Sequence, residues 1–159
     1  MKEILEILEK NSRLTEEQVA TMLGISAGEV RAEIKKYEDE KVIVGYNTLI
    51  NWENTSRENV TALIEIKVTP QRGEGFDKVA ERIYRYPEVK SCYLMSGGFD
   101  LTVIIEGKTM KEVALFVAEK LAVLESVLST STHFVLKKYK DEGIIFDEKV
   151  QDDREAVVL

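Results

Sequence analysis

Residues 15–39 read TEEQVATMLGISAGEVRAEIKKYED, and this stretch contains two helix starts in quick succession. Thr15 with Gln18, and Ser26 with Glu29, both show the Ser/Thr-x-x-Glu/Gln pattern of a capping box. Gly24 lies between them, where a helix end is typical. Two short helices joined by about three residues that include a glycine are the signature of a helix-turn-helix.

An earlier segment predicts one more helix, which stops at Asn11 and Ser12, and residues 42–50 predict an extended exit. Apolar residues recur at helical spacing in all three helices. The positions predicted to be buried are Ile4, Leu5, Ile7 and Leu8 in the first helix, Val19, Ala20, Met22 and Leu23 in the second, and Val30, Ile34 and Tyr37 in the third. We assign residues 1–50 to this helix-turn-helix domain.

Beyond a polar linker at residues 51–59, the pattern changes to strands alternating with helices. We expect strands at 60–68, 89–95, 101–106 and 128–138, with helices at 76–86 and 109–124. This β-α-β order, repeated, predicts a ferredoxin-like antiparallel sheet with both helices on one face. The second domain therefore covers residues 60–146, and an acidic tail covers 147–159.

Composition narrows the function classes. The 159 residues are 44% hydrophobic and 32% charged, a composition typical of a folded chain. The net charge of −7 argues against a generally basic surface for binding nucleic acid. No apolar run approaches the ~18 residues that span a bilayer, and no secretory leader is visible, so we expect a cytoplasmic protein without membrane contact. Cys92 and His133 stand alone, and we expect structural roles for both, with no metal and no cofactor.

The strand Leu101–Ile105 is apolar on both alternating faces, whereas a half-solvated strand should alternate apolar with polar. Something should therefore cover the second face of the sheet. One explanation is the same sheet of another copy, which predicts a homodimer. The other is that Gly143–Phe146 and the acidic tail fold back over this face, and both can hold together.

Two stretches carry a family resemblance: LGISAGEVRAEIKKYEDEKVIVGYNTLIN, residues 23–51, and PEVKSCYLMSGGFDLTVIIEG, residues 87–107. With the strand Thr130–Lys137, they make the chain resemble the Lrp/AsnC (feast/famine) transcription regulators. The resemblance implies an α+β chain, with an N-terminal winged helix-turn-helix domain and a ferredoxin-like βαββαβ domain of the RAM, ACT-like type. It also implies that the protein binds double-stranded DNA and an amino acid effector, and that it forms homodimers that join into tetramers or octamers.

The outward face of the third helix is the candidate DNA-binding surface. Small residues allow close approach to a major groove, Arg31 suits guanine, and lysines suit phosphates. Ser26 and the free N–H groups at the helix start can bind a phosphate. The predicted contacts are Ser26, Ala27, Gly28, Arg31, Ala32, Lys35 and Lys36. Family members often carry a basic pair where this chain has Ala32 and Glu33. An ordinary solvated helix face is the alternative.

The loop after the second strand is the candidate effector site. Loop N–H groups can hold a carboxylate, while Asp100 can pair with an ammonium, which are the two ends of an amino acid. The resemblance implies the residues Met95, Ser96, Gly97, Gly98, Phe99 and Asp100, with Thr130, Ser131 and Thr132 at a subunit interface. We expect Gly98 to need a backbone that only glycine adopts. Because Gly98 replaces the family's usual aspartate, we expect a small uncharged amino acid. A simple hairpin turn, with Asp100 satisfying its own backbone, is the alternative.

Two other functions compete with a DNA-binding regulator. Some haem-pathway decarboxylases share this two-domain architecture, but they use histidine and arginine, and this chain has one histidine. An interaction module that keeps the winged helix without binding DNA is the second rival, and Ala32 and Glu33 favour it. We expect a regulator and not an enzyme.

Overall fold

The computed structural model describes residues 2–69 and 75–146. The chain divides into two compact units, Met1–Leu49 and Ile50–Leu159. The predicted acidic tail, residues 147–159, lies outside the described residues.

Unit 1 contains three helices: α1 at Lys2–Lys10, α2 at Glu16–Leu23 and α3 at Ala27–Asp39. Both predicted capping boxes are confirmed, with Thr15 capping α2 and Ser26 capping α3. Gly24 ends α2 with a φ of +67°, a conformation that favours glycine. The core of the unit consists of Ile4, Leu8, Val19, Ala20 and Val30.

One predicted core position of unit 1 was wrong. Met22 is 61% exposed. The buried face of α2 is centred on Val19, Ala20 and Leu23, and Met22 lies about 100° around the helix from that centre. After α3, residues 41–43 form a turn and a bend, and residues 44–50 have neither helix nor strand, so the predicted extended exit stays a prediction.

Unit 2 opens with a short 3₁₀ turn at Trp52–Asn54, followed by the predicted order of strands and helices. The elements are β1 at Val60–Val68, α4 at Asp77–Tyr84, β2 at Val89–Leu94, β3 at Leu101–Gly107, α5 at Met110–Phe116 and β4 at Val127–Phe134. A π-helical turn at Val117–Leu121 continues α5, and a small hairpin of β5 (Lys140–Asp141) and β6 (Ile144–Ile145) follows β4.

The four long strands form one antiparallel sheet in the order β2-β3-β1-β4. This order confirms the ferredoxin-like prediction. Ile64 and Ile66 of β1, together with Leu101 and Val103 of β3, are fully buried on one face of the sheet. Helices α4 and α5 contribute the rest of the same core through Val79, Ile83, Val113, Phe116 and the following Leu121.

The other face of the sheet has no helix on it within the described ranges. Leu63 and Ile104 lie opposite each other at its centre, and both remain half-buried in one chain. Thr102 on the same face is 6% exposed, and its hydroxyl oxygen has no hydrogen-bond partner among the described residues. The predicted apolar second face is therefore present at its centre and mixed with polar residues around it.

Several element ends differ from the sequence prediction. Strand β4 ends at Phe134 instead of residue 138, because its partner strand β1 begins at Val60. The Thr61 carbonyl of β1 accepts a hydrogen bond from the Val135 N–H at 2.9 Å, just after the end of β4. The predicted helix 109–124 is an α-helix only as far as Phe116. The end of β4 depends on its partner strand, which local periodicity does not encode.

Candidate functional site

The outward face of α3 lies where the sequence predicted it. Gly28, Arg31, Ala32, Lys35 and Lys36 are all exposed. On the opposite side, Val30 is fully buried, while Ile34 and Tyr37 are half-buried. A Cβ atom added at Gly28 would have Ser26 Oγ, at 3.9 Å, as its nearest contact apart from its own helix backbone and chain neighbours, so this part of the helix surface is open.

The N-terminus of α3 already holds a carboxylate. Glu29 Oε2 accepts from the backbone N–H of Ser26 at 2.9 Å and from its hydroxyl at 2.7 Å. Hydrogen bonds from the Ser26 backbone and then its hydroxyl lower the pKa of Glu29. A phosphate at this position would have to displace that carboxylate. Ala27, also predicted as a contact, is half-buried and packs against the core of the unit.

Arg31 forms a contact that the sequence did not predict. Its Nε and Nη2 atoms lie 2.7 Å and 2.5 Å from Glu16 Oε2, at the start of α2. The hydrogen bond to Glu16, and then the charge of Glu16, raise the pKa of Arg31. Lys35 pairs with Asp39, one turn further along α3, at 3.5 Å.

In unit 2, the loop between β2 and β3 closes through backbone hydrogen bonds at its ends. The Met95 N–H donates to the Asp100 carbonyl at 2.8 Å, and the Asp100 N–H donates to the Ile66 carbonyl at 3.0 Å. Residues 95–98 are exposed, whereas Phe99 and Asp100 are half-buried. The loop therefore exposes residues 95–98 beside the sheet, and backbone hydrogen bonds hold its two ends.

The Asp100 carboxylate joins two strands. Its Oδ2 accepts from the Val68 N–H of β1 at 2.8 Å, next to an irregularity in the register of β1 with β4. The Asp100 carboxylate thus bonds to a neighbouring strand and not to the backbone of its own turn, while the alternative of a simple hairpin turn stays open. Within the described residues, Oδ1 has no hydrogen-bond partner, so one oxygen of the carboxylate is available.

The glycine that needs a special backbone is Gly97, with a φ of +126°. Gly98 is not in the left-handed region, and a Cβ atom added there would meet nothing within 4 Å apart from its chain neighbours. The expectation that Gly98 needs a glycine-only backbone was therefore wrong by one position. The cause is that a Gly-Gly pair does not reveal which of its members takes the positive φ.

The β4 residues lie at the same end of the sheet as the loop but do not share one face. Thr130 pairs with Ile66, which pairs with Leu101, so two strand spacings, about 10 Å, separate Thr130 from β3. Thr130 and Thr132 lie on the helix-covered face. Ser131 lies on the open face, 3.4 Å from His133 Nε2, which in turn is 3.6 Å from Glu65 Oε2.

Cys92, possible metal ligands and possible membrane-spanning helices are the remaining candidates for functional groups. Cys92 is half-buried, and burial raises the pKa of its thiol. Across residues 2–69 and 75–146, no group of His, Cys, Asp and Glu is arranged to hold a metal ion. In the same residues, no helix is long and apolar enough to cross a membrane.

A cavity of about 180 Å³ near the start of β1 was not predicted. Its lining includes Trp52, Thr61, Val135 and Phe146, and the Arg57 guanidinium lies 4.2 Å from the centre of the Trp52 ring. Phe146 thus lies at the Thr61 end of the sheet, while Ile144 and Ile145 of the hairpin stay 58% and 54% exposed.

Comparison with known proteins identifies the family. A sequence model of the Lrp/AsnC ligand binding domain matches residues 61–145, and a model of winged helix-turn-helix DNA-binding domains matches residues 1–44. The HTH-type transcriptional regulator YugG of Bacillus subtilis (strain 168) is 55% identical over 157 residues, which cover 98% of this chain and 94% of YugG. The chain belongs to the Lrp/AsnC family.

More distant proteins match over most of this chain in sequence or in fold. The proline dehydrogenase transcriptional activator of Rhizobium radiobacter is 26% identical over 89% of this chain and 90% of its own length. The regulator NMB0573 of Neisseria meningitidis, solved as an L-Met complex, superposes with a TM-score of 0.71 at 25% identity, covering 87% of this chain and 88% of its own. Escherichia coli AsnC, at 18% identity, has the same fold with a TM-score of 0.66, covering 85% and 89%.

Family membership decides between the rival functions. This Lrp/AsnC protein is a DNA-binding transcriptional regulator with a ligand-binding domain, in a family of regulators and not of enzymes. The decarboxylase and the interaction module without DNA binding are thereby set aside.

Proposed function

We propose that this regulator works as a homo-oligomer whose C-terminal units bind a small, uncharged amino acid at a subunit interface, and that binding changes its occupancy of DNA. The observation that carries the proposal is the Met95–Asp100 loop. It combines exposed backbone, a glycine with positive φ, and a carboxylate within three residues of that glycine, in the ligand-binding domain.

The loop suits a zwitterion. Exposed N–H groups around Gly97 can hold a carboxylate, because successive backbone donors in a turn form an anion-binding concavity. Oδ1 of Asp100, which has no hydrogen-bond partner within residues 2–69 and 75–146, can accept from an ammonium while Oδ2 stays bonded to Val68. NMB0573, which was solved with L-Met, supports an uncharged amino acid as the ligand class.

A second subunit is needed if β4 residues take part in the same site. Within one chain, Thr130 lies about 10 Å from β3, with β1 between them. A ligand that contacts both the loop and the Thr130–Thr132 stretch therefore fits best between two subunits. This is the reason to place the effector at an interface.

The open face of the sheet supports pairing of copies. Leu63 and Ile104 leave apolar surface at its centre, and the Thr102 hydroxyl oxygen has no hydrogen-bond partner in the part of the chain that the structure describes. Pairing two such sheets would bury this surface, as in other isologous dimers. The alternative was that Gly143–Phe146 and the acidic tail fold back over this face. Because Ile144 and Ile145 of that segment are exposed, we favour a second copy of the sheet as the cover. Tetramers or octamers would follow from further contacts between dimers.

DNA binding would use the outward face of α3 in the major groove. Gly28 and Ala32 permit close approach, Arg31 would read guanine, and Lys35 and Lys36 would contact phosphates. A dimer would recognise half-sites about 10 bp, or a multiple of it, apart.

The effector test is calorimetry of the full chain with each of the twenty amino acids. We expect heat with one or a few small uncharged amino acids, and a large loss of affinity in Asp100→Asn. Absence of heat with all twenty, or unchanged binding in Asp100→Asn, would show that the loop is only a turn.

The DNA test is selection of bound sites from a random duplex library. Arg31→Ala should lose base preference at one position of each half-site, costing about 1–3 kcal/mol there. Lys35→Ala and Lys36→Ala should weaken binding to all sequences alike and reduce its salt dependence. An unchanged motif in the Arg31 variant would contradict the assignment of Arg31 as the base-reading residue.

A further inference from the structure

The contact between Arg31 and Glu16 has a specific geometry. Glu16 is the first residue of α2, and Arg31 lies on the exposed face of α3. Both Nε and Nη2 of Arg31 approach the same oxygen, Oε2 of Glu16, at 2.7 Å and 2.5 Å. The arginine side chain stays 66% exposed, whereas that of Glu16 is 32% exposed. The pair therefore lies at the surface, with the carboxylate on the protein side.

The remaining donors of Arg31 form an edge that could pair with a base. A guanidinium carries five N–H groups in a planar fork. The Nε–H and one Nη2–H form its side edge, and the Nη1–H and the other Nη2–H form its terminal edge. Glu16 occupies the side edge, which leaves the terminal edge for two acceptors such as guanine O6 and N7.

We propose that Glu16 is a positioning residue, which holds the Arg31 guanidinium so that its terminal edge reads guanine. This inference rests on the proposed base contact of Arg31. A free arginine loses considerable rotamer freedom on binding, and a side chain already held in one orientation loses less. Glu16 thus favours the contact that needs a fixed fork.

Glu16 should also suppress binding to the wrong sequences. Phosphate contacts supply most non-specific affinity, and a carboxylate bonded to Arg31 reduces the attraction of that arginine to phosphates. A base contact depends on the direction of the Arg31 N–H donors, so it should become stronger when Glu16 holds the guanidinium in one orientation. The expected net effect is a larger ratio of specific to non-specific affinity, which is the quantity that matters in a genome.

The neighbouring Glu17 provides a matched control. It lies in the same first turn of α2, so its removal changes the net charge and the charge at the helix N-terminus equally. Hydrogen bonds from its own backbone and from the Thr15 side chain lower the pKa of Glu17, and the charge of Arg31 is the smallest cause. Glu17 therefore shares the charge of Glu16 but not its bond to Arg31.

The experiment compares full-length Glu16→Ala, Glu16→Gln, Glu17→Ala and Arg31→Ala with the unmodified chain. Bound sites are selected from a random duplex library, and affinity for one non-specific duplex is measured at two salt concentrations. Glu16→Ala and Glu17→Ala should both increase non-specific affinity. Only Glu16→Ala should lower the guanine preference at the Arg31-dependent position, by roughly two- to fivefold, the range for exposed ion pairs.

The Glu16→Gln variant tests whether an effect of Glu16→Ala comes from loss of the hydrogen bonds that orient Arg31 or from a folding defect. Its amide oxygen can accept the same two hydrogen bonds, so we expect the guanine preference to recover at least partly. An unchanged preference in Glu16→Ala, or an equal loss in Glu17→Ala, would overturn the positioning role while leaving the base contact of Arg31 intact. An unchanged motif in Arg31→Ala would overturn both the base contact and this inference.

Discussion

Asp100 offers a way to separate a structural contact from ligand binding. Asp100→Ala removes the only described acceptor of the Val68 N–H, which lies 2.8 Å from Oδ2. Val68 is 4% exposed, so its N–H would lose a partner in a largely buried position. An unsatisfied buried donor costs about 1–3 kcal/mol. Because Asp100 is half-buried and water can partly replace it, we expect the lower part of that range, about 1–2 kcal/mol.

Asp100→Asn should behave differently, because the amide oxygen can still accept from Val68. We expect less than about 1 kcal/mol of destabilisation in this variant, yet loss of amino acid binding, since the negative charge that pairs with an ammonium is gone. The Asn variant thus tests binding in a folded chain, and the Ala variant tests the strand contact.

The assay is thermal unfolding at one fixed protomer concentration, because association makes Tm concentration-dependent. A loss of 1–2 kcal/mol lowers Tm by about 5–10 °C in a domain of roughly 100 residues. Equal Tm values for Asp100→Ala and the unmodified chain would refute the stabilising role of the Val68 contact. An equally large drop in Asp100→Asn would show that the charge, and not the acceptor, matters.

Three other predictions follow from the structure. Gly97→Ala should impair amino acid binding much more than Gly98→Ala, because only Gly97 has a positive φ; equal effects in calorimetry would contradict the backbone argument. Ile104→Asp should shift light scattering toward smaller particles, since it places a charge in the proposed sheet contact, whereas a monomeric unmodified chain at micromolar concentration would refute that contact. Hydrogen bonds from Ser26 lower the pKa of Glu29 in the folded protein below its ordinary value of 4.5. The ionised Glu29 carboxylate therefore stabilises the folded state above pH 4.5, and this stabilisation is lost as the pH falls through the lowered pKa. Glu29→Gln should therefore differ from the unmodified chain in Tm at pH 7 and converge with it at strongly acidic pH.

The parts of the fold that the sequence predicted well are those with a local physical signal. The capping boxes at Thr15 and Ser26 lie within four residues, and the observed bounds of β1 match its alternating pattern. The end of β4 is set by where β1 begins, roughly 70 residues earlier in the chain, so no local pattern encodes it.

The same distinction holds for the sites. The outward face of α3 follows from helical period alone, and Gly28 and Arg31 are exposed as predicted. The bond between Asp100 and Val68 joins positions 32 residues apart, and the bond between Arg31 and Glu16 joins positions 15 apart. Such contacts arise when elements pack together. They change the roles of Asp100 and Glu16 without leaving a motif in the sequence.

The charge of the helix-turn-helix unit links the two proposed sites. Residues 1–50 contain seven Lys or Arg and ten Asp or Glu, a net charge of −3. Binding to DNA is largely electrostatic, so one such unit should bind weakly by itself. Two units in one assembly raise the effective concentration of the second, which can increase overall affinity by about 10²–10⁴ without any new contact. An amino acid that binds one proposed assembly better than another would then change DNA occupancy by a large part of that factor. In the proposed assembly, weak binding by a single unit would make oligomer formation an effective point of control.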